Sequence, residues 1–184
     1  MGNDMKREVA EIDKKYFELL RDDVTSFMKR SSELYDKENT VLLDIAPQDH
    51  AGAAPYFKNS TVETLDIDPK SGANYIADIC QKNEKIIPSE HFDIVVCTEV
   101  LEHTLQPFDA VDEIYRILKP GGKALISVPY NFRIHGPLPD CWRFTEHGLR
   151  ALFKNFKEIE LKSLDDENRF LAPIHYTMIV AKEA

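Results

Sequence analysis

Phe92-Asp93-Ile94-Val95-Val96-Cys97-Thr98-Glu99-Val100-Leu101-Glu102-His103 is the stretch that decides how the rest of the chain is read. Its first half is a nearly continuous apolar run rich in β-branched residues, and it ends on a hydroxyl and a carboxylate. Such a run fits a strand covered on both faces, the habit of parallel sheets in α/β proteins. The polar residues arrive where the strand should end, and open α/β sheets bind ligands at the carboxyl ends of their strands. Similar runs occur at 41–45, 62–67 and 124–128, with a shorter one at 74–77.

Helical patterns lie between and around these runs. Pro107 suits a first helical position, followed by Phe108, Val111, Ile114 and Leu118 on one face and stopped by Lys119-Pro120-Gly121-Gly122. Thr145 is placed to cap a second helix that buries Leu149, Leu152, Phe153 and Phe156. Residues 5–36 carry Val9, Ile12, Tyr16, Leu20, Val24 and Phe27 at steps of three and four, a helical face with a break expected near Asp22-Asp23. Two alternating strands, about 158–164 and 174–181, close the chain. The pattern predicts one domain over 1–184, with a helical lid at 1–38 and an α/β core at 39–184. The core is a doubly wound, mostly parallel sheet with one antiparallel strand near an edge.

Composition narrows the function. The 184 residues are 43% hydrophobic and 30% charged, which is globular. With 23 Lys plus Arg against 32 Asp plus Glu, the net charge is −9, which disfavours phosphate backbones and anionic lipid surfaces as partners. The expectation is a cytoplasmic protein with no nucleic-acid or membrane partner; the oligomeric state is not read from sequence. Cys80, Cys97 and Cys141 are too scattered for a disulfide framework or a structural zinc site. Among the histidines and acids no H-x-H, H-E-x-x-H or facial-triad spacing occurs, so no metal site is expected. A Ser/His/Asp hydrolase lacks its G-x-S-x-G turn.

Acids sit where the strands should end: Asp44, then Asp66 after 22 residues, then Asp78. An acid about 20 residues beyond the first strand typically accepts from the ribose hydroxyls of a nucleoside. Asp66-Ile67-Asp68-Pro69 reads equally well as a turn.

Taken together, VLLDIAPQ, LDIDP, ADIC, FDIVVCTEVLEHT and IYRILKPGGKALISVPY resemble the class I S-adenosylmethionine-dependent methyltransferases. The likeness is nearest to the small group with a "LEH…LKPGG" pattern. It runs in order from about Val41 to Tyr130 and continues loosely through CWRFTEHGLRALF. The resemblance implies a seven-stranded sheet of order 3-2-1-4-5-7-6 with the last strand antiparallel, and S-adenosyl-L-methionine as cofactor. It places Asp44, Ala46 and Gln48 in the first cofactor loop, Asp66 and Ile67 at the ribose, Asp78 and Ile79 at the adenine, and Thr98 and Glu99 along the methionine portion.

One departure stands out. The family's D-x-G-x-G-x-G loop reads here Asp44-Ile45-Ala46-Pro47-Gln48-Asp49-His50, with no glycine before Gly52. Ala46 is expected to keep an ordinary backbone conformation, because Ala takes left-handed angles at a cost.

The long loop after the fifth run, Tyr130 to Phe144, is rich in aromatic and cationic residues, as binding loops are. Tyr130, His135, Asp140, Trp142 and Arg143 are its candidate acceptor contacts, with Tyr16 on the opposite wall. Packing anchors and a local Asp140–Arg143 pair are the plainer reading of the same residues. His103 and His135 are candidate proton acceptors; His103 serves equally as a cap on the next helix. Glu102 reads as a structural or solvent-facing partner. The function expected is methyl transfer to a hydroxyl or amine of a small-molecule or carbohydrate acceptor. An inactive methyltransferase-fold binding module is the alternative, and a dinucleotide oxidoreductase is disfavoured by the missing G-x-G-x-x-G.

Overall fold

In a computed structural model, residues 9–47 and 52–183 are described. The elements are α1 (Glu11–Tyr35), β1 (Val41–Ile45), β2 (Thr61–Asp66), β3 (Tyr75–Ile76), β4 (Phe92–Thr98), a 3₁₀ turn at Leu101–His103, α2 (Pro107–Ile117), β5 (Leu118–Pro129), α3 (Glu146–Leu152), β6 (Lys157–Leu164) and β7 (His175–Ala181). They build one seven-stranded sheet of order β3-β2-β1-β4-β5-β7-β6. All pairings from β3 to β5 are parallel, and β7 runs antiparallel between β5 and β6. The expected topology is the one observed.

Alternation along the strands decides what each face receives. Leu42, Ile94, Val96, Leu125 and Ile179 point to one face, where Phe27 and Met28 of α1 cover them together with Ala53 and Phe57. Leu43, Val95, Cys97, Ala124 and Ile126 point to the other and meet Val111, Ile114 and Ile117 of α2 and Leu149 and Phe153 from the region of α3. Two-sided cover is why β1 and β4 read as continuous apolar runs.

Helix ends follow from local chemistry. Glu11 and Asp13 lie in the first turn of α1, where acids favour the helix dipole. At its exit the Asp36 carboxylate accepts from the backbone N–H groups of Lys58, Asn59 and Ser60, tying α1 to the approach to β2. Pro107 opens α2, and the Thr145 hydroxyl caps α3 by accepting from Gly148 N at 3.1 Å.

Four sequence expectations change. α1 runs unbroken through Asp22-Asp23 for 25 residues, since its buried stripe of Tyr16, Leu20 and Phe27 continues across that point. Val9, Ile12 and Phe108 are exposed rather than buried. The Lys119-Pro120-Gly121-Gly122 segment belongs to β5 rather than to a loop after α2. Among the described residues, no α-helix joins β1 to β2, β2 to β3 or β3 to β4; turns do so.

Candidate active site

The carboxyl ends of β1, β2 and β4 gather the predicted cofactor residues. Asp44 is buried in β1, and its Oδ2 accepts from Ala53 N at 2.6 Å, closing the loop that leaves the strand. Burial raises its carboxyl to about 6, against the Ala53 hydrogen bond, which lowers it. Ala46 has φ of 52°, so the expected ordinary backbone is corrected: the chain makes the left-handed turn there with an alanine. Gly52 has φ of 60°, and a Cβ on it would run into Asp44 Oδ2 and Pro47 Cβ. Gly52 thus permits a close approach of this loop to Asp44 that a side chain would block. Gln48 lies outside the described residues.

Asp66 ends β2 and is only 2% exposed. Its Oδ1 accepts from Asp68 N at 2.7 Å, while Oδ2 is buried and has no partner. A buried carboxylate oxygen without a donor is costly, so it marks a place where a ligand hydroxyl fits. Ile67 beside it is 68% exposed, an apolar surface left open by the described residues. Asp78 uses Oδ1 to hold Cys80 N at 2.9 Å, and Ile79 is buried in the core. These features fit the nucleoside end of S-adenosylmethionine.

At the end of β4, Thr98 pairs with Ser127 of β5, and Glu99 adopts φ of 55°. Glu99 Oε1 accepts from Ser127 Oγ and from His175 Nε2, each at 2.8 Å. His175, fully buried, places its Nδ1 2.7 Å from Asp23 Oδ2 on α1. A carboxylate oxygen only accepts, so both ring nitrogens donate and the ring is an imidazolium. Burial pulls the His175 pKa down, but the Glu99 and Asp23 carboxylates win and hold it at about 9. The same imidazolium holds Glu99 below the usual carboxylate range despite burial. Sequence reasoning gave neither Asp23 nor His175 a place in the site.

Beyond β4 and β5 the loop from Tyr130 folds back over the 3₁₀ turn. Cys141 N and Trp142 N both donate to Glu102 O, and Trp142 Nε1 donates to Thr104 O at 2.8 Å. His103 Nδ1 lies 2.9 Å from Pro139 O, and its ring meets that of His135 edge-on at 4.8 Å. Burial lowers the His135 pKa, so that ring is neutral near pH 7. Glu102 is 0% exposed, which corrects its solvent-facing reading. Burial and the nearby Glu99 charge push its carboxyl well up.

The remaining acceptor candidates are differently placed. Asp140 and Arg143 form a two-pronged ion pair, and Arg143 also donates to the carbonyls of Phe132, Arg133 and Trp142. Arg143 holds the Asp140 carboxyl well below the usual carboxylate range. Tyr130 packs against Tyr176 and the core. Tyr16 is buried, with its hydroxyl donating to Asp166 Oδ2 at 2.9 Å. Trp142, at 41% exposure, stacks on Phe144 and keeps a free face.

A cavity of about 150 Å³ opens between α1 and the β1 and β4 ends, lined by Arg21, Val24, Gly52, Tyr56 and Thr98. A larger one of about 230 Å³ lies at the amino ends of the strands, by Lys37, Thr40, Asp93 and Pro120. Ligands of such sheets bind at the carboxyl ends of the strands, the side on which the smaller cavity opens.

A family described as "Methyltransferase domain" matches residues 12–168. Ubiquinone biosynthesis O-methyltransferase of Pseudomonas putida (strain GB-1) is 45% identical over 38 residues, 21% of this chain and 16% of that relative, so the match spans a small part of either protein. Among solved structures, the [4+2]-cyclase SpnF superposes with a TM-score of 0.67 at 13% identity, over 89% of this chain and 81% of that one. A SAM-dependent methyltransferase of Methanosarcina mazei gives 0.63 at 15% identity, over 96% and 99%. Likeness at that identity concerns the fold alone. No helix among the described residues is long and apolar enough to cross a membrane.

Proposed function

Because the chain belongs to the methyltransferase-domain family, we propose that it binds S-adenosylmethionine and passes its methyl group to a hydroxyl of a small molecule. The buried, unpartnered Oδ2 of Asp66 carries this reading. It sits at a strand end, where a ribose diol would satisfy it, and Ile67 offers the adjoining apolar surface for the base.

The bound cofactor supplies a methyl group already activated on a sulfonium sulfur. The chain then has to bind, orient and exclude water. Asp44 fixes the loop through Ala53 N, and Glu99, gripped by His175 and Ser127, holds the end of β4 at its left-handed turn. An acceptor hydroxyl must lose its proton, and His103 and His135 are the titratable rings at that end of the cleft. An amine acceptor would need only to arrive neutral. A hydroxyl is preferred because the relative from Pseudomonas is an O-methyltransferase by name. Nothing in the site favours a carbohydrate over another polar small molecule.

Calorimetric titration with S-adenosylmethionine and its demethylated product tests the proposal. The chain is expected to bind both, and Asp66→Ala to weaken each roughly 10- to 100-fold, the worth of a charge-assisted hydrogen bond. Absence of binding by the unaltered chain would leave the inactive-module reading. Unchanged affinity in Asp66→Ala would remove Asp66 from the site.

A further inference from the structure

We propose that Glu102, His103 and His135 form a binding site for a divalent transition-metal cation of the zinc class at the acceptor end of the cleft. Glu102 Oε1 lies 3.7 Å from His103 Nε2 and 3.8 Å from His135 Nε2. One ligand atom from each residue falls within 4.8 Å of the others. Zinc-class bonds of about 2.1 Å place tetrahedral ligands about 3.4 Å apart, so each imidazole need approach Glu102 by only a few tenths of an ångström, and the two imidazoles need approach each other by no more than about 1.4 Å.

Three observations point the same way. Neither carboxylate oxygen of Glu102 has a hydrogen-bond partner, although the residue is wholly buried. Protonating the group does not by itself resolve this, because the nearest ring nitrogens, His103 Nε2 at 3.7 Å and His135 Nε2 at 3.8 Å, stand beyond hydrogen-bond reach. Secondly, His103 Nδ1 faces the Pro139 carbonyl at 2.9 Å. A carbonyl only accepts, so that nitrogen keeps the proton, and in the neutral ring Nε2 is the nitrogen left to ligate on the side of Glu102. Thirdly, His135 Nδ1 stands 3.1 Å from Asp140 Oδ2, and Arg143 clamps Asp140. The contact is off the ring N–H axis, since Nδ1 has no aligned hydrogen bond. A carboxylate behind a ligating imidazole is a common support of metal sites. Two imidazoles and one carboxylate also form the donor set of catalytic zinc centres, which leave a position open for substrate.

The role of the cation rests on the methyl-transfer reading above; its binding does not. An acceptor hydroxyl held by the cation becomes more acidic and releases its proton to water. Its oxygen then attacks the sulfonium methyl. A carbon–oxygen bond forms, the carbon–sulfur bond breaks, and sulfur keeps the electron pair as a neutral thioether. The fitting acceptors carry two neighbouring oxygens, such as a vicinal diol or a catechol, which can grip the cation while one of them reacts.

The test is a cobalt(II) titration of the full chain after chelator treatment, read by visible absorption with no cofactor present. One cobalt per chain, with ligand-field bands that zinc abolishes, is expected. His103→Ala and His135→Ala should each weaken cobalt binding at least about 100-fold, with folding checked by circular dichroism. Should one of them fail to fold, the other decides. His147→Ala, on the exposed face of α3, should change nothing. Cobalt held equally well by both ligand variants, or far less than one per chain, overturns the site. Calorimetry with S-adenosylmethionine on the same samples separates the two readings. Cofactor binding without cobalt binding removes the metal site alone, and cobalt binding without cofactor binding removes the methyl donor alone.

Discussion

His175 joins distant parts of the sequence, with Asp23 152 residues before it and Glu99 76 before it. Its folded pKa of about 9 stands above the ordinary 6.5. The stabilisation this shift brings is therefore complete below about pH 6.5 and is lost as pH rises through 9. The shift corresponds to about 3 kcal/mol. His175→Gln should cost about that much near pH 6 in denaturant unfolding, and the gap to the unaltered chain should narrow above pH 9. A gap that stays constant with pH would mean the ring is neutral in the native protein. This network was invisible in the sequence, because a lone histidine beginning an apolar run has no local signal and its partners are set by topology. Asp44 and Asp66 were legible, because strand ends and their spacing are local features. The Glu102–His103–His135 cluster falls between these cases. Two members are adjacent, but the third arrives only when the loop after β5 folds back.

Among the elements, α1 was expected as a lid, and its carboxyl half instead covers one face of the sheet. Phe27 is fully buried there against Leu42, Val96 and Ile179. Phe27→Ala should destabilise the fold by about 3–5 kcal/mol, the range for deleting a buried aromatic. Phe108→Ala in α2 should cost less than about 0.5 kcal/mol, because Phe108 is 60% exposed. Matched denaturant titrations of the two variants check the contrast, and equal losses would contradict the packing described. The amino half of α1 does reach the loops, where Phe17 stacks on Phe132 and Tyr16 bonds to Asp166. Periodicity reported the helix correctly but could not say which part of its stripe meets the sheet. The same limit explains Phe108, which stands at a helical spacing that the structure leaves in solvent. The extension of β5 back through Gly121 and Gly122 was hidden for another reason. Pro and Gly signal a turn locally, whereas pairing with β4 and β7 supplies backbone partners that composition does not record.

For the whole molecule, the sheet order was read from the family resemblance, and the alternation of buried residues explains why it holds. What the order implies about assembly is separate. Its sixth position is filled by β7, the last of these seven strands to be made, so β5 must wait beside an open edge. At roughly 5–20 residues per second of synthesis, the 181 − 129 = 52 residues between the ends of β5 and β7 take roughly 3–10 s to appear. Strand pairing within a chain takes microseconds, so the nascent protein spends nearly all that interval with a long apolar strand unpaired. A chain ending at residue 173 should reproduce that state permanently and collect in the insoluble fraction. A soluble, monomeric truncation would mean that β6 has moved to cover β5 by itself. β7 thus acts as the latch of the sheet, and the most vulnerable form of this chain is the one made through β6 and not yet through β7.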